Sequence, residues 1–160
     1  MEITFAPRGI LQMDGVRLIH RNFEGRESQY NRKGDRNFSI AIYDEELAQR
    51  LVDEGWNVKI KPPREEGEAP RMHLPVKVKF NDRGPNVYLS SGSAKGRRLN
   101  EETISCLDYI DILDANLDIR PYNWDINGKQ GRTAYLQSLE VIQDVDRFAD
   151  RYAEEEYPYE

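Results

Sequence analysis

The sequence predicts a mainly β protein, in which an antiparallel sheet closes into a barrel or curls over itself beside one short helix. Apolar and polar residues alternate in about six or seven short runs, one segment has helical spacing, and no strand-helix-strand rhythm occurs. The chain has 160 residues, which is within the range of one domain. We therefore expect one β-rich domain.

The first third of the chain predicts a strand, a long polar loop, a second strand and the helix. Val16 and Leu18 lead into the loop, and the alternation over residues 38–42 leads out of it. Asp44 stands at the position of a helix N-cap, with two glutamates in the first turn and leucines at helical spacing behind them. This pattern predicts a helix over about 45–54.

The middle of the chain predicts three strands and a basic loop. Residues 58–60 form a short alternating run that a pair of prolines ends. The clearest strand follows at residues 74–80, where Lys77 and Lys79 point away from the apolar face. A short strand then leads into residues 90–98, whose serine, glycine and basic residues predict a flexible basic loop.

The end of the body predicts a long β-hairpin. Residues 113–120 and 133–142 alternate between apolar and polar side chains. Asn127-Gly128 between them is a strong hairpin turn signal.

Two loops combine basic and aromatic side chains. Residues 21–37 hold five cations and three carboxylates, and residues 120–132 hold three cations and one carboxylate; each loop also carries two large aromatic residues. Single-stranded nucleic acid binds to cations that contact phosphates and to aromatic faces that stack on bases, with about 1–3 kcal/mol per stack. The candidate nucleic-acid-binding residues are Phe23, Arg26, Tyr30, Arg32, Lys33, Arg36, Lys77, Lys79, Tyr122, Trp124, Lys129 and Arg132.

A purely structural role for the same aromatic residues stays open. Phe23 and Tyr30 could fold back onto the core beneath a solvated loop, and Trp124 could cap one end of the core, as tryptophans often do. The presence of two such loops, together with the outward lysines and the basic run 95–98, favours binding.

The positions of these loops fit one known barrel. If residues 16–18 belong to strand 1 and 113–119 to strand 4 of a five-stranded oligonucleotide-binding (OB) barrel, the two basic loops connect strands 1 to 2 and 4 to 5. In that fold these loops flank the binding face. The predicted fold class is therefore an OB-fold-like antiparallel five-stranded barrel with additional strands, one short helix and an acidic C-terminal tail.

The tail accounts for most of the net charge of −6. Residues 144–160 hold seven carboxylates and two arginines, a net charge of −5, so the body is nearly neutral. We expect a binding domain over 1–143 and a flexible acidic tail over 144–160.

The residue inventory argues against several other classes of protein. Cys106 is the only cysteine, which excludes an intramolecular disulfide and fits a reducing cytoplasm. With His20 and His73 as the only histidines, no zinc cluster or Cys-His nucleophile pair is expected, and no phosphate or dinucleotide motif occurs. No signal sequence or membrane-spanning run is apparent. We expect no enzyme activity, no cofactor and no membrane partner.

The sequence resembles the single-stranded DNA-binding proteins of tailed bacteriophages. The resemblance rests on Arg21-Asn22-Phe23-Glu24-Gly25, Tyr30-Asn31-Arg32, Arg120-Pro121-Tyr122-Asn123-Trp124, the run from Gly128 to Leu136, and the acidic tail. It implies an OB barrel, cooperative or dimeric coating of single strands in the host cytoplasm, and a tail that recruits replication and recombination proteins. The tail residues that the resemblance assigns to partner binding are Glu154, Glu155, Glu156, Tyr157 and Tyr159.

Two other functions fit part of the pattern. A small β-rich interaction module, such as a phage inhibitor of a host factor, would use its acidic surface to mimic nucleic acid. A Mg²⁺-dependent nuclease would use carboxylates such as Asp108, Asp111, Asp114 and Asp118 as ligands. Our leading hypothesis is sequence-tolerant binding and protection of single-stranded DNA, without catalysis, in replication or recombination.

Overall fold

Ten strands and one α-helix make up the part of the chain that the computed structural model describes, residues 1–91, 96–146 and 148. The strands are β1 (Glu2–Phe5), β2 (Leu11–Asp14), β3 (Leu18–Asn22), β4 (Arg36–Ile42), β5 (Lys59–Lys61), β6 (Arg71–Val78), β7 (Asn86–Ser90), β8 (Arg97–Leu99), β9 (Ile112–Ile126) and β10 (Lys129–Gln143). The helix α1 spans Glu45–Asp53, and short 3-10 helices lie at Pro7–Gly9 and Ile104–Asp108.

The strand order is that of a five-stranded OB barrel. Neighbouring strands pair in the order β1-β2-β9-β10-β6-β4-β3. The barrel strands of this path, from β2 to β3, are closed by the chain itself, because β2 and β3 are successive parts of one strand that bends at Gly15 (φ +66°). At the bend the Val16 N–H donates to Ala115 O, and the Ala41 N–H donates to Arg17 O. β2–β3, β4, β6, β9 and β10 therefore take the places of OB strands 1 to 5, which confirms the predicted fold class.

Most strand pairs are antiparallel, as predicted, but β10 forms two parallel pairs. It lies beside β6 at Ala134 and Tyr135, and beside β7 from Ser138 to Ile142. Because β10 is 15 residues long, it pairs with β6 in one part of its length and with β7 in another. Alternation within single strands predicts which side faces the core, and it gives no information on which distant strands meet.

The apolar face of each barrel strand fills the interior. In β9, for example, Ala115, Leu117 and Ile119 are buried, and the residues between them are only partly covered. Phe23 and Phe38 stack in the same core with ring centroids 5.1 Å apart. The interior is thus closed by side chains, and binding is left to the outside.

The predicted helix is confirmed at Glu45–Asp53. The Asp44 carboxylate accepts hydrogen bonds from the backbone N–H groups of Glu46 and Leu47, as an N-cap should. Ala48 and Leu51 are buried against the barrel. In the described part of the chain no helix is long and apolar enough to cross a membrane.

Three strands occur where we expected none. β1 and β2 form a hairpin at the N-terminus, and β8 lies within the stretch that we expected to be a loop. β8 forms because Leu99 is buried opposite Val87 of β7, so one apolar contact anchors a basic segment. Residues 92–95 of that predicted loop lie outside the described residues.

Candidate nucleic-acid interface

The outer face of β4, β6, β10 and β9 carries a row of polar, basic and aromatic residues. In the strand register Asn37 lies beside Lys77, Lys77 beside Tyr135, and Tyr135 beside Arg120. Adjacent strands are about 4.8 Å apart, so this row crosses roughly 14 Å of sheet. In an OB fold the face of strands 2 and 3, here β4 and β6, is the surface that binds oligonucleotides.

The hairpin of β9 and β10 extends this face with aromatic rings. The ring of Tyr122 meets that of Tyr135 edge-on, with centroids 5.9 Å apart, and the Arg120 guanidinium lies 5.1 Å from the Tyr135 ring centroid. Tyr122 is 56% exposed. Trp124 lies against its cross-strand partner Gly131, where any Cβ would overlap the indole ring. Glycine at 131 therefore allows the large ring to lie close to the backbone.

The loop from residue 23 to 35 presents Tyr30 at its tip. Ser28 and Asn31 exchange two backbone hydrogen bonds across a tight turn, and Tyr30 between them is 90% exposed. The Asn31 amide group donates to the carbonyl oxygens of Arg26 and Asp35, at 2.8 and 3.0 Å. The loop is thus tied together internally, and an aromatic side chain projects from it.

The base of this loop is fixed to the 3-10 helix at Ile104–Asp108. The Asp108 carboxylate accepts from the backbone N–H groups of Phe23 (2.8 Å) and Glu24 (2.9 Å), and its side chain is almost completely buried. Arg21 donates to the carbonyl oxygens of Leu107 and Ile110. These bonds hold the loop in one position relative to the barrel.

A cleft of about 690 Å³ lies between the loop and the outer face. Residues from both sides line it, including Tyr30, Arg36, Lys77, Lys79, Phe80 and Tyr135. A basic and aromatic cleft is the arrangement in which single-stranded nucleic acids bind without regard to sequence.

Arg36 is the most enclosed cation of this cleft. Its guanidinium lies 5.8 Å from the Phe80 ring centroid, and its Nη1 and Nη2 contact Glu101 at 3.4 Å (Oε1) and 3.3 Å (backbone O). Its Nε is shielded from solvent and has no hydrogen-bond partner in the described chain. The Glu101 side chain is 62% exposed, so it can leave Arg36 at little cost.

The structure brings some of the sequence candidates together and separates others. Tyr30, Arg36, Lys77 and Lys79 line the cleft, and Tyr122 and Trp124 lie on the adjoining hairpin. Arg32, Lys33 and Lys129 are exposed at loop tips.

Arg26 and Arg132 contact other parts of the protein. Arg26 lies 3.7 Å from Glu24 and 3.9 Å from Asp108, and it donates to Arg21 O. Arg132 belongs to the opposite face of the hairpin, 5.4 Å from the ring of Trp56.

The expectation that Phe23 stacks on bases is corrected by the structure. Phe23 is 0% exposed and packs on Phe38, because the two N–H bonds to Asp108 turn the start of the loop inward. The structural alternative for this residue, packing in the core, is the observed one. Tyr30, the other aromatic of the same loop, is exposed.

Sequence reasoning missed three cleft or face residues, Arg120, Tyr135 and Phe80. A signal was available for Tyr135, because it alternates with the buried Ala134 and Leu136 and so belongs to the outward set of β10. For Phe80 no signal existed, since it ends the alternating run 74–80 on the apolar side and packs against the core as well as lining the cleft.

The carboxylates considered as metal ligands do not gather. In the described residues no group of three or more His, Cys, Asp or Glu side chains is placed to hold a metal ion. Asp108 is used by the loop, and Asp118 lies on the outer face of β9, where burial and then the nearby Asp14 raise its pKa. The tail candidates Glu154, Glu155, Glu156, Tyr157 and Tyr159 lie outside the described residues.

The barrel and its two flanking loops define the class of OB-fold proteins. Within that class, a family model described as a phage ssDNA-binding domain matches residues 3–158, and the chain belongs to this family. The resemblance deduced from the loops and tail is thereby confirmed. No curated protein matches the sequence.

Solved structures of similar fold include the single-stranded DNA-binding protein of bacteriophage Enc34. In complex with ssDNA it is 12% identical, with a TM-score of 0.59, and 91% of this chain and 93% of that chain are covered. Another structure of the same protein is 12% identical with a TM-score of 0.54 and covers 100% of both chains. A C-terminal truncation of it gives 13% identity and a TM-score of 0.54, with 90% and 91% covered.

The structural role of Asp108 gives a testable prediction. Replacing Asp108 by Ala leaves two N–H groups at the loop base without acceptors, so we expect a loss of about 2–4 kcal/mol in the free energy of unfolding. Urea denaturation followed by tryptophan fluorescence measures this loss. Asp111→Ala, at an exposed carboxylate nearby, should change stability by no more than about 0.5 kcal/mol. Equal effects of the two variants would contradict the assigned role.

Proposed function

We propose that this protein binds single-stranded DNA without sequence preference and protects it during phage DNA replication and recombination. The observation that carries the proposal is the row of Asn37, Lys77, Tyr135 and Arg120 across the outer face, continuous with the Tyr30 cleft. Membership of the phage ssDNA-binding domain family supports it.

The chemistry of the face suits a sequence-tolerant ligand. Tyr30, Tyr122 and Tyr135 offer rings on which any base can stack, since every base has a π-face. Lys77, Lys79 and Arg120 supply the positive charge that phosphates need, and such contacts depend strongly on salt. We propose a role without catalysis, in which affinity comes from stacking and from counterion release.

The acidic tail is the second part of the proposal. We propose a binding domain over residues 1–143 and a tail over 144–160, with the host cytoplasm as the place of action. A tethered polyanion has a high effective concentration at a basic cleft and competes there with DNA. Once DNA displaces it, the tail is available to replication or recombination proteins. Dimeric or cooperative coating of the strand also belongs to the proposal.

One titration tests binding and competition together. The intact chain and a version ending at Gln143 are titrated with an oligo-dT at low and high salt, with tryptophan fluorescence as the signal. We expect binding that weakens steeply with salt, by about 0.7 in log-log slope for each phosphate contact, and tighter binding by the shorter version.

The same titration separates the other candidate functions. A protein that mimics nucleic acid would bind no oligonucleotide at any salt concentration. A nuclease would shorten the oligonucleotide when Mg²⁺ is added, which gel electrophoresis detects. Binding that is equal for both versions would remove the tail from the proposal and leave the binding domain in place.

Tyr30 gives the sharpest test of stacking. Its ring is almost fully exposed, so Tyr30→Ala should leave stability unchanged and lower the affinity for oligo-dT by about fivefold to 150-fold, the value of one stacked base. Tyr88→Ala is the matched control, because Tyr88 is an exposed tyrosine on β7 beside Glu140. If both variants bind as tightly as the wild type, Tyr30 is not a stacking residue.

Glu101 occupies the position at Arg36 where a phosphate would bind. Glu101→Gln should therefore raise the affinity for oligo-dT by about threefold to tenfold, since DNA no longer has to displace a carboxylate. Glu102→Gln removes the same charge from the next residue, which makes no salt bridge in the described chain, and we expect less than about a twofold change. In an Arg36→Gln background the gain from Glu101→Gln should vanish. A gain that persists there would show that Glu101 acts through general charge alone.

A further inference from the structure

One pair of like charges faces across β5 and β6, next to a lysine–histidine pair. In the antiparallel register Lys61 lies opposite Arg71, and Lys59 lies opposite His73. Residues directly opposite each other share one face of the sheet, and like charges in that arrangement destabilise it. In the described chain none of these residues forms a salt bridge with a carboxylate. The fold therefore keeps an unneutralised basic patch at a cost in stability.

His20 adds a second imidazole to this patch. It belongs to β3, has a left-handed backbone (φ +51°), and places its ring edge-on to that of His73 with centroids 5.0 Å apart. His73 is only 9% exposed. Burial, and then His20, Lys61 and Lys59, lower the pKa of His73, so the free protein keeps it neutral near pH 7. From β4 the uncharged Ala41 lies opposite His73, and no carboxylate takes part.

The patch is continuous with the cleft. The outward positions of β6 are Arg71, His73, Pro75 and Lys77, with Lys79 just beyond the strand. At about 3.3 Å per residue, Arg71 and Lys77 are roughly 20 Å apart along β6. Lys77 lines the cleft, and Arg71 lies at the patch.

We propose that Lys59, Lys61, Arg71, His73 and His20 form a second phosphate-binding segment, which holds the phosphodiester backbone of the same single strand after it leaves the cleft. This inference rests on the proposed function and extends its site along β6. The bound backbone neutralises the Lys61–Arg71 pair, so the repulsion between these two cations in the free sheet is relieved in the complex. The strand then runs along β6 rather than only across the sheet.

Oligonucleotide length tests the proposal. An oligo-dT of about five nucleotides fills the cleft alone, whereas one of about twenty also reaches the patch. The double variant Lys59→Gln, Lys61→Gln should bind the long oligonucleotide about tenfold more weakly at low salt, with a log-log salt slope smaller by about 1.4, and bind the short one as the wild type does. Single variants should each show about half of the slope change.

The control removes one positive charge from another part of the surface. Arg8 is an exposed cation in the 3-10 helix at Pro7–Gly9, and Asn tolerates its left-handed backbone. Arg8→Asn removes one positive charge, as each single lysine variant does. It should leave the affinity for the long and for the short oligonucleotide unchanged. An equal loss for both lengths, or equal effects of Arg8 and the lysines, overturns the proposal. If the wild type binds neither length, the proposed function itself fails.

The histidines supply a second, independent readout. A phosphate favours protonated imidazole and so raises the pKa of His73 in the complex, which means that binding takes up a proton. The affinity for the long oligonucleotide should therefore rise as the pH falls from about 8 to about 6, beyond any change seen with the short one. His73→Gln, if its thermal unfolding matches the wild type, should remove this difference. The same pH dependence for both lengths would contradict phosphate binding at His73.

Discussion

The parallel pairing of β6 with β10 determines what the outer face contains. It sets Lys77 beside Tyr135, and through the β9–β10 hairpin it aligns both with Arg120. These residues come from parts of the sequence that share no local signal. A shift of one residue in this register would turn the lysines of β6 toward the core and its valines outward. This alignment joins the lysines of β6 to the aromatic hairpin of β9 and β10 in one continuous face.

The rigidity of the first loop has an energetic consequence for binding. Ordering a mobile loop around a ligand costs conformational entropy, which reduces the affinity. Here the Asn31 amide, the Asp108 carboxylate and the close contact of Gly25 with Gly34 already fix the loop. At Gly25, with φ +75°, a Cβ would lie 3.0 Å from the Gly34 backbone, so a larger residue would separate the two loop strands. The exposed ring of Tyr30 is thus already in position before a ligand binds.

Local chemistry in the sequence predicts the helix and the hairpin well. Asp44 has a capping role that depends on its immediate neighbours, and Asn127-Gly128 takes the left-handed conformations of a tight turn (φ +52° and +80°). The sequence could not show in this way that Phe23 is buried and Tyr30 exposed, because both are aromatic residues in one basic loop. The distinction arises from Asp108, about 85 residues away, which turns one of them inward. Arg132 and Lys129 are both cations of the second loop. Arg132 contacts the ring of Trp56, whereas Lys129 is exposed at the hairpin tip.

The distribution of acid on β9 gives the outer face a boundary. The outward residue before Arg120 is Asp118, followed in the same direction by Asn116 and Asp114. Asp118 lies near Asp14 of β2, and burial, followed by the repulsion from Asp14, raises its pKa. A phosphate backbone that continued along β9 past Arg120 would meet these carboxylates, whereas along β6 it meets cations from Lys79 to Arg71. The net charge of −6 hides this segregation, because repulsion and attraction act locally over about one Debye length. The path of a bound strand therefore depends on the position of these carboxylates as much as on the position of the lysines.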